Sequence, residues 1–370
     1  MSAYILRRLL LIIPTLFGIM VMNFVIVQAV PGGPVEQMLA EVKGVSVAAT
    51  SRIGGEAGNE VGGTAPRGDS GASSSPSAYR GAQGLDPEFI SRIEKQFGFD
   101  RPPAERFWLM MGNYLRFDFG NSFYSDRSVV DLVIDKMPVS ISLGIWTTLL
   151  VYLVSIPLGI AKAVRDGSRF DAVSSFAVVV GNAVPGFLFA ILLIVLFAGG
   201  RYLDWFPLRG LTSDDWELLS WPARIADYFW HITLPIVSMV IGGFAGLAML
   251  TKNSFLEEIN KLYVMTARAK GLTERRVLYG HVFRNAMLIV IAGFPAAFVG
   301  ILFTGSLLTE IIFSLDGLGL LGFEAAIRRD YPVMFGSLYF FTLLGLILSL
   351  LGDLMYHVID PRIDFKSLER

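Results

Sequence analysis

Cysteine is absent from this 370-residue sequence, and only three histidines occur in it. Disulfides and thiolate metal sites are therefore excluded. The histidines His231, His281 and His357 lack the spacing of metal ligands, and no serine has His and Asp companions at catalytic spacing. The phosphate-binding pattern Gly-x-x-x-x-Gly-Lys-Ser/Thr is also missing. We therefore expect a non-catalytic chain with no metal, ATP or other cofactor of its own.

Charged residues are scarce and unevenly distributed. They make up 17% of the sequence against 53% hydrophobic residues. Six runs without any Lys, Arg, Asp or Glu reach the roughly 20 residues that a helix needs to cross a bilayer. These runs are 9–30, 139–161, 172–200, 232–251, 286–309 and 332–352. The sequence thus predicts an all-α multi-pass membrane protein with six transmembrane helices. The first run exceeds the 7–15-residue core of a signal peptide, so we interpret it as a helix of the protein.

The short loops between these runs differ strongly in positive charge. Fifteen Lys and Arg residues lie on one side of the predicted helices, whereas the short loops of the other side contain five. By the positive-inside rule, we expect both termini and the loop 252–285 to be cytoplasmic. The net charge of −1 conceals this asymmetry and argues against nucleic acid as a partner.

A long loop, 31–138, follows the first run on the predicted periplasmic side. Its part 44–84 is rich in Gly, Ser and Ala and has few large apolar residues, so we expect it to be flexible. The remainder, 85–138, is predicted to be partly helical. One helix begins at Asp86 and Pro87, and a second, 104–115, has an aromatic face.

The predicted organisation has four parts. A transmembrane helix occupies 1–30, and the periplasmic loop occupies 31–138. A core of five helices then occupies 139–360 and includes the loop 252–285. A cytoplasmic tail occupies 361–370.

Ionisable residues are absent from the middle of every predicted span. Ion-coupled carriers use such residues as relays, so a stand-alone carrier or channel is the alternative interpretation that the sequence supports less well. Glu310 and Asp353 lie at span ends and are interpreted as interfacial anchors. Prolines lie in five of the six spans, where we expect them to bend helices; they are Pro14, Pro157, Pro185, Pro235 and Pro295.

The loop 252–285 contains seven Lys and Arg residues between two uncharged runs. Four apolar or aromatic residues recur in it at three- and four-residue spacing, which predicts one short helix with an apolar face. These are Leu256, Ile259, Leu262 and Tyr263. Gly271 is predicted to end this helix, and Thr273 to cap the next one, 274–285. The loop is either an ordinary solvated basic loop or a rigid knob for another protein.

Two motifs in this loop favour the second interpretation. Residues 263–272 read YVMTARAKGL, and residues 281–286 read HVFRNA. They resemble the cytoplasmic signature loop of ABC-importer permeases of the dipeptide and oligopeptide class. Met265 and Thr266 replace the Glu and the first Ala of the family pattern, whereas Ala267 and Gly271 match it. Further similarity in the first loop and at both ends extends the resemblance over nearly the whole chain. Within the class, the chain most resembles the branch that imports microcin C and peptides.

The resemblance implies a type I importer permease that moves peptides or peptide-like compounds by alternating access. The implied partners are a homologous second permease, a cytoplasmic ABC ATPase that binds ATP and Mg²⁺, and a periplasmic substrate-binding protein. The signature loop (252–285) would dock on the ATPase. The implied contact residues are Ile259, Leu262, Tyr263, Thr266, Ala267, Arg268, Ala269, Lys270, Gly271 and Leu272.

The loop 201–228, predicted to be external, combines acidic residues with tryptophans. Tryptophans near a span end commonly belong to the interfacial belt, which is the simpler interpretation. Alternatively, Asp214, Asp215 and Glu217 form part of the surface on which the substrate-binding protein lands, since aromatic rings beside charges are typical of transient interfaces.

Overall fold

The computed structural model describes residues 2–29, 100–200, 202–300 and 307–359. The predicted flexible segment 44–84, the predicted helix that begins at Asp86 and the predicted tail 361–370 lie outside these residues. The chain divides into two compact units. The core unit comprises Met1–Leu10, Lys136–Gly319 and Leu343–Arg370, and the loop unit comprises Leu11–Asp135 and Leu320–Thr342.

The described residues are almost entirely helical, and β-pairing among them is limited to one bridge between Asn121 and Ser128. The prediction of an all-α protein is confirmed. The helices are α1 (Ser2–Ala29), α2 (Pro103–Tyr114), α3 (Val129–Val164), α4 (Arg169–Ala183), α5 (Gly186–Phe197), α6 (Trp221–Ile259), α7 (Leu262–Ala269), α8 (Glu274–Val277), α9 (Phe283–Gly300), α10 (Leu307–Ile312), α11 (Leu318–Arg328) and α12 (Tyr331–Ile359). A 3-10 turn, Trp216–Leu218, precedes α6, and a π-helical turn, Leu278–Val282, joins α8 to α9.

Five helices in the described ranges are long and apolar enough to cross a membrane: α1, α3, α6, the continuous α8–α9 segment and α12. Helices α4 and α5 form a sixth candidate, bent by 88° between them. The predicted six spans are confirmed if this pair counts as one. The run 172–200 is nevertheless two helices, because Val184 precedes Pro185 and has extended backbone angles of φ −87° and ψ 120°. Pro14, Pro157 and Pro235 lie inside helices that continue past them.

Several helices extend beyond the apolar runs that predict them. Helix α3 begins at Val129, ten residues before the predicted span 139–161, and α6 begins at Trp221 instead of residue 232. Hydropathy marks only the part of a helix that lipid can surround, whereas backbone hydrogen bonds continue through the polar ends. The span boundaries were therefore predicted too narrowly.

In the loop unit, α2 packs against α1 through aromatic rings. The buried Phe107 ring lies 5.9 Å from the ring of Phe17 and 5.2 Å from that of Phe24. Pro103 occupies the first turn, where the missing N–H removes no helical hydrogen bond. The predicted helix 104–115 is confirmed, and the structure shows that part of its aromatic face packs on α1.

In the core unit, α3 and α6 approach each other closely at Gly159. A Cβ at this position would lie 2.6 Å from Cβ of Thr251 and 2.7 Å from the carbonyl oxygen of Ala248. Gly242 and Gly246, which have the GxxxG spacing of close helix contacts, do not serve this purpose within the described residues. A Cβ at either of them would meet nothing within 4 Å.

Glu310 is not an interfacial anchor, so that prediction is wrong. Its side chain is fully buried in the core unit. The Ser140 hydroxyl donates a hydrogen bond to Oε1 of Glu310 at 3.4 Å. The same hydroxyl accepts a hydrogen bond from the N–H of Leu318 at 2.8 Å. A Cβ at Gly317 would clash with the carboxyl group, so the turn before α11 closes over Glu310 only because this residue is glycine. Asp353 instead pairs with Arg8 at 2.9 Å.

A buried lysine joins α3 to α4 in the core unit. Lys162 is fully buried, and its Nζ lies 3.2 Å from Oδ1 of Asp171 and 3.1 Å from Oγ of Ser174. Lys252 of α6 also pairs with Asp171, at 2.7 Å, and with Asp166, at 2.8 Å. In the sequence, the positive charges of these lysines indicate only which side of the membrane the loops face. The structure adds that Asp171 links three helices, α3, α4 and α6.

We predict that Asp171→Asn strongly destabilises the purified protein. The change leaves the ammonium of Lys162 buried without a carboxylate, and breaking a buried pair costs about 3–5 kcal/mol. Asp166→Asn is the matched control, because Asp166 shares Lys252 but its side chain is 51% exposed, and exposed pairs contribute about 0–1 kcal/mol. Thermal unfolding in detergent measures both variants. Equal shifts in Tm would contradict this account of the network.

Candidate functional site

The signature loop does not contain the single helix that the apolar spacing predicts. Helix α6 ends at Ile259, and a separate helix, α7, begins at Leu262. Asn260 closes α6, with its side-chain amide donating to the carbonyl of Leu256 at 2.9 Å. Lys261 then adopts extended angles of φ −75° and ψ 150°. The prediction is wrong here because an asparagine side chain can replace the backbone bonds of a helix end, which apolar spacing does not reveal.

Helix α7 ends in the turn that was predicted at Gly271. Gly271 has a φ of +80°, and its N–H donates to the carbonyl of Arg268 at 2.9 Å. The N–H of Leu272 donates to the carbonyl of Ala267 at 3.4 Å. These two bonds form a Schellman motif, in which glycine is favoured because other residues are strained at positive φ. Thr273 is the N-cap residue of α8, as predicted, although its side chain makes no capping bond.

Arg268 and Glu274 join the two sides of this turn. The guanidinium donates from Nε to Oε1 at 2.9 Å and from Nη2 to Oε2 at 3.1 Å. Such a two-point pair fixes orientation better than a single contact. The resemblance implies that Arg268 contacts the partner. The structure shows that Arg268 also stabilises the Gly271 turn through its pair with Glu274.

A second group of polar side chains attaches α7 to the helices beneath it. The Tyr263 hydroxyl donates to Oε2 of Glu258 at 2.6 Å, and the amide of Asn285 donates to the same hydroxyl at 3.2 Å. Lys261 also pairs with the Glu258 carboxylate. Burial, and then the adjacent Glu258, raise the pKa of Tyr263, so the hydroxyl keeps its proton at neutral pH. Hydrogen bonding to Glu258 likewise raises the pKa of Lys261.

The ten predicted contact residues fall into two groups. Six are exposed: Leu262, Thr266, Arg268, Ala269, Lys270 and Gly271. Four are buried or half-buried in this chain: Ile259, Tyr263, Ala267 and Leu272. The second group belongs to the apolar core around Phe255, Val264 and Val277, so those side chains support the site from below. The prediction also omitted Met265, which is 52% exposed and lies three residues after Leu262, 78% exposed.

The outer face of α7 (Leu262, Met265, Thr266 and Ala269) is therefore an exposed apolar surface on a rigid base. Large apolar side chains that are exposed together commonly mark an interaction surface. Spacing in the sequence could have identified this face only if the helix start at Leu262 had been known, because the four residues repeat every three or four positions from there.

The loop between α5 and α6 is held by its own polar contacts. The Arg224 guanidinium lies 4.8 Å from the ring centre of Trp216 and 5.6 Å from that of Trp221. Asp227 is buried and accepts the N–H of Ser213 at 2.9 Å. The candidate docking residues Asp214, Asp215 and Glu217 are exposed beside these contacts. Asp227 therefore stabilises the loop, and the other three acids remain available at its surface.

Comparison with known proteins identifies the family. Residues 155–365 match the family of the binding-protein-dependent transport system inner membrane component. The chain is 60% identical over 366 residues to the peptidoglycan transport system permease protein YejB of Agrobacterium fabrum, with 99% of each chain covered. It is 57% identical over 368 residues to the inner membrane ABC transporter permease protein YejB of Escherichia coli O157:H7, covering 99% of this chain and 100% of the relative. It is 31% identical over 373 residues to the oligopeptide transport system permease protein AppB of Bacillus subtilis, with coverage of 99% and 100%.

We predict that Gly271→Ala loosens the signature loop. A side chain in the left-handed region costs roughly 1–2 kcal/mol, which should raise the open fraction of the turn about five- to thirtyfold. Trypsin should then cleave faster after Lys270. Gly280→Ala is the matched control, since Gly280 has no positive φ and a Cβ there would meet nothing within 4 Å. Unchanged cleavage of Gly271→Ala would show that the turn tolerates the strain.

Proposed function

We propose that this chain, which belongs to the family of inner membrane components of binding-protein-dependent transport systems, moves peptides or peptide-like compounds across the cytoplasmic membrane. Its relatives are permease subunits of ABC importers, and the chain is a multi-pass permease subunit of this kind. Peptide cargo is supported by the names of the relatives, which refer to peptidoglycan and oligopeptide transport. Microcin C, a peptide-like compound, belongs to the same proposed cargo class.

The observation that carries the mechanism is the exposed outer face of α7 on its polar base. We infer that a cytoplasmic ABC ATPase, which binds ATP and Mg²⁺, docks on this face. The positive charge of the signature loop supports the cytoplasmic orientation, with both termini on the same side. A second permease of the same family would complete the assembly.

Force from the ATPase would reach the membrane helices through the polar base. Tyr263 contacts Glu258 of α6 and Asn285 of α9, so a displacement of α7 would move both helices. Alternating access would follow from this rigid movement, because packed helices shift as units and do not deform continuously.

On the opposite side of the membrane, the loop between α5 and α6 is the candidate contact of a periplasmic substrate-binding protein. Asp214, Asp215 and Glu217 are exposed and lie close in the sequence to the exposed Leu218 and Trp221. An acidic surface with exposed aromatic and apolar side chains is suited to steering and anchoring a transient partner.

Acidic substitutions on the outer face of α7 should detach the ATPase. The double change Leu262→Glu and Met265→Glu places two charges in an apolar contact, so we expect at least a tenfold loss of ATPase recovered with the purified permease. Leu218→Glu is the control, because Leu218 is 88% exposed in the other loop and its replacement should leave ATPase recovery unchanged. Normal recovery with the double variant would place the ATPase contact elsewhere.

Reversing the charges of Asp214, Asp215 and Glu217 to lysine should reduce stimulation of ATP hydrolysis by the binding protein. The loss should shrink at high salt, because screening weakens both attraction and repulsion. Basal hydrolysis in the same complexes is the control and should not change. Unaltered stimulation across a range of salt concentrations would assign the three acids to the solvated surface alone.

A further inference from the structure

The core unit contains a cavity of about 700 Å³ between α3, α5, α6, α9 and α10. This volume lies within the roughly 300–1,000 Å³ of small-molecule sites. The described residues of its wall include no charged side chain. Apolar groups such as Phe187 and Met239 form most of the surface, and hydroxyl groups interrupt it.

Two of the glycines in the cavity wall lie where a side chain would have room. A Cβ added at Gly242 of α6 or at Gly293 of α9 would meet no atom of the described residues within 4 Å. Both residues line the cavity. Glycine in a helix interior is less favourable than most residues by up to about 1 kcal/mol, and neither glycine is required here by close packing. Their effect in this chain is to keep the wall free of side chains.

One hydroxyl at the wall has no hydrogen-bond partner among the residues that the structure describes. Thr148 is 2% exposed, and its Oγ1 makes no hydrogen bond to any part of the chain that the structure describes. Among the described residues, the hydroxyl of the neighbouring Thr147 donates only to the thioether sulfur of Met239, at 3.7 Å, and this sulfur is a weak acceptor. Rotation about χ1 can direct a threonine hydroxyl toward the cavity. An unpaired buried hydroxyl is costly, and a ligand with amide groups would remove that cost.

We propose that this cavity binds an uncharged segment of the transported peptide, with apolar side chains against the wall and backbone amides on the hydroxyls of Thr147 and Thr148. The proposal rests on the proposed function and specifies where the cargo lies during transport. A lipid chain would satisfy the apolar wall but none of the hydroxyls. A peptide satisfies both, and its backbone amides are present whatever its sequence.

The test uses the complete complex in vesicles, with its ATPase and binding protein. The probe is tri-leucine, and for labelling its central residue is replaced by a photoreactive leucine analogue. Uptake reports the proposed function, and the position of the label, located by mass spectrometry, reports the site. We expect uptake, and labelling of α6 and α9 near Gly242 and Gly293. Uptake with labelling confined to other surfaces would overturn the cavity proposal, whereas absence of uptake by the wild type would instead overturn the proposed function.

Filling the cavity should reduce labelling without preventing folding. Gly242→Leu adds a better helix former with room for its Cβ, and we expect labelling of the cavity to fall about tenfold or more. Gly246→Leu is the matched control: it lies one turn further along α6, is equally open and does not line the cavity. Equal losses in the two variants would overturn the proposal, as would retained labelling in Gly242→Leu.

Thr148 provides an independent test with opposite effects on stability and binding. Thr148→Val removes an unpaired buried hydroxyl, so Tm should stay the same or rise, while labelling falls about three- to tenfold through loss of one hydrogen bond. Thr148→Ser keeps the hydroxyl and should retain labelling. If labelling of Thr148→Val equalled that of the wild type, the proposed hydrogen bond would be excluded.

Discussion

The hydrogen bond between the Tyr263 hydroxyl and the buried Glu258 carboxylate connects the exposed part of this protein to the part in the membrane. The buried side chains of Val264 and Ala267 also hold the eight residues of α7, and this hydrogen bond adds a directional link to α6. A helix of this length is marginal by itself in water. Glu258 and Asn285 make the base of α7 continuous with α6 and α9, so the outer face of α7 can receive a partner without losing its orientation.

The same arrangement recurs at the ends of α3 and α4, where Asp171 binds Lys162 and Lys252. Ionic and polar groups in the core unit are thus concentrated where helices meet, and their partners come from different helices. Such groups specify geometry, because a buried charge is costly in any arrangement that separates it from its partner. The two networks therefore help to fix how the helices meet near the signature loop.

Between these networks and the buried Glu310, the cavity wall is uncharged in the described residues. This neutrality agrees with the absence of ionisable residues from the apolar runs. It suits the proposed function, in which energy would come from ATP on another subunit, since no relay for ions is then required in the pathway. It also suits cargo that differs in side chains but shares amide groups, because hydroxyl groups can bind an amide whatever residue carries it.

The number and approximate places of the spans, the helix at α2 and the turn at Gly271 were determined by local features of the sequence. Apolar length, proline position and the conformational freedom of glycine act over a few residues, so they can be read without knowing the fold. The break at Asn260 is also local, since its side-chain amide bonds to Leu256 four residues earlier, but apolar spacing does not reveal it. The burial of Ala267, the pairing of Arg268 with Glu274 and the enclosure of Glu310 depended on tertiary structure. In each case the deciding partner lies across a turn or on another helix, and the energy of burying a charge or ring is set by neighbours that sequence spacing does not specify.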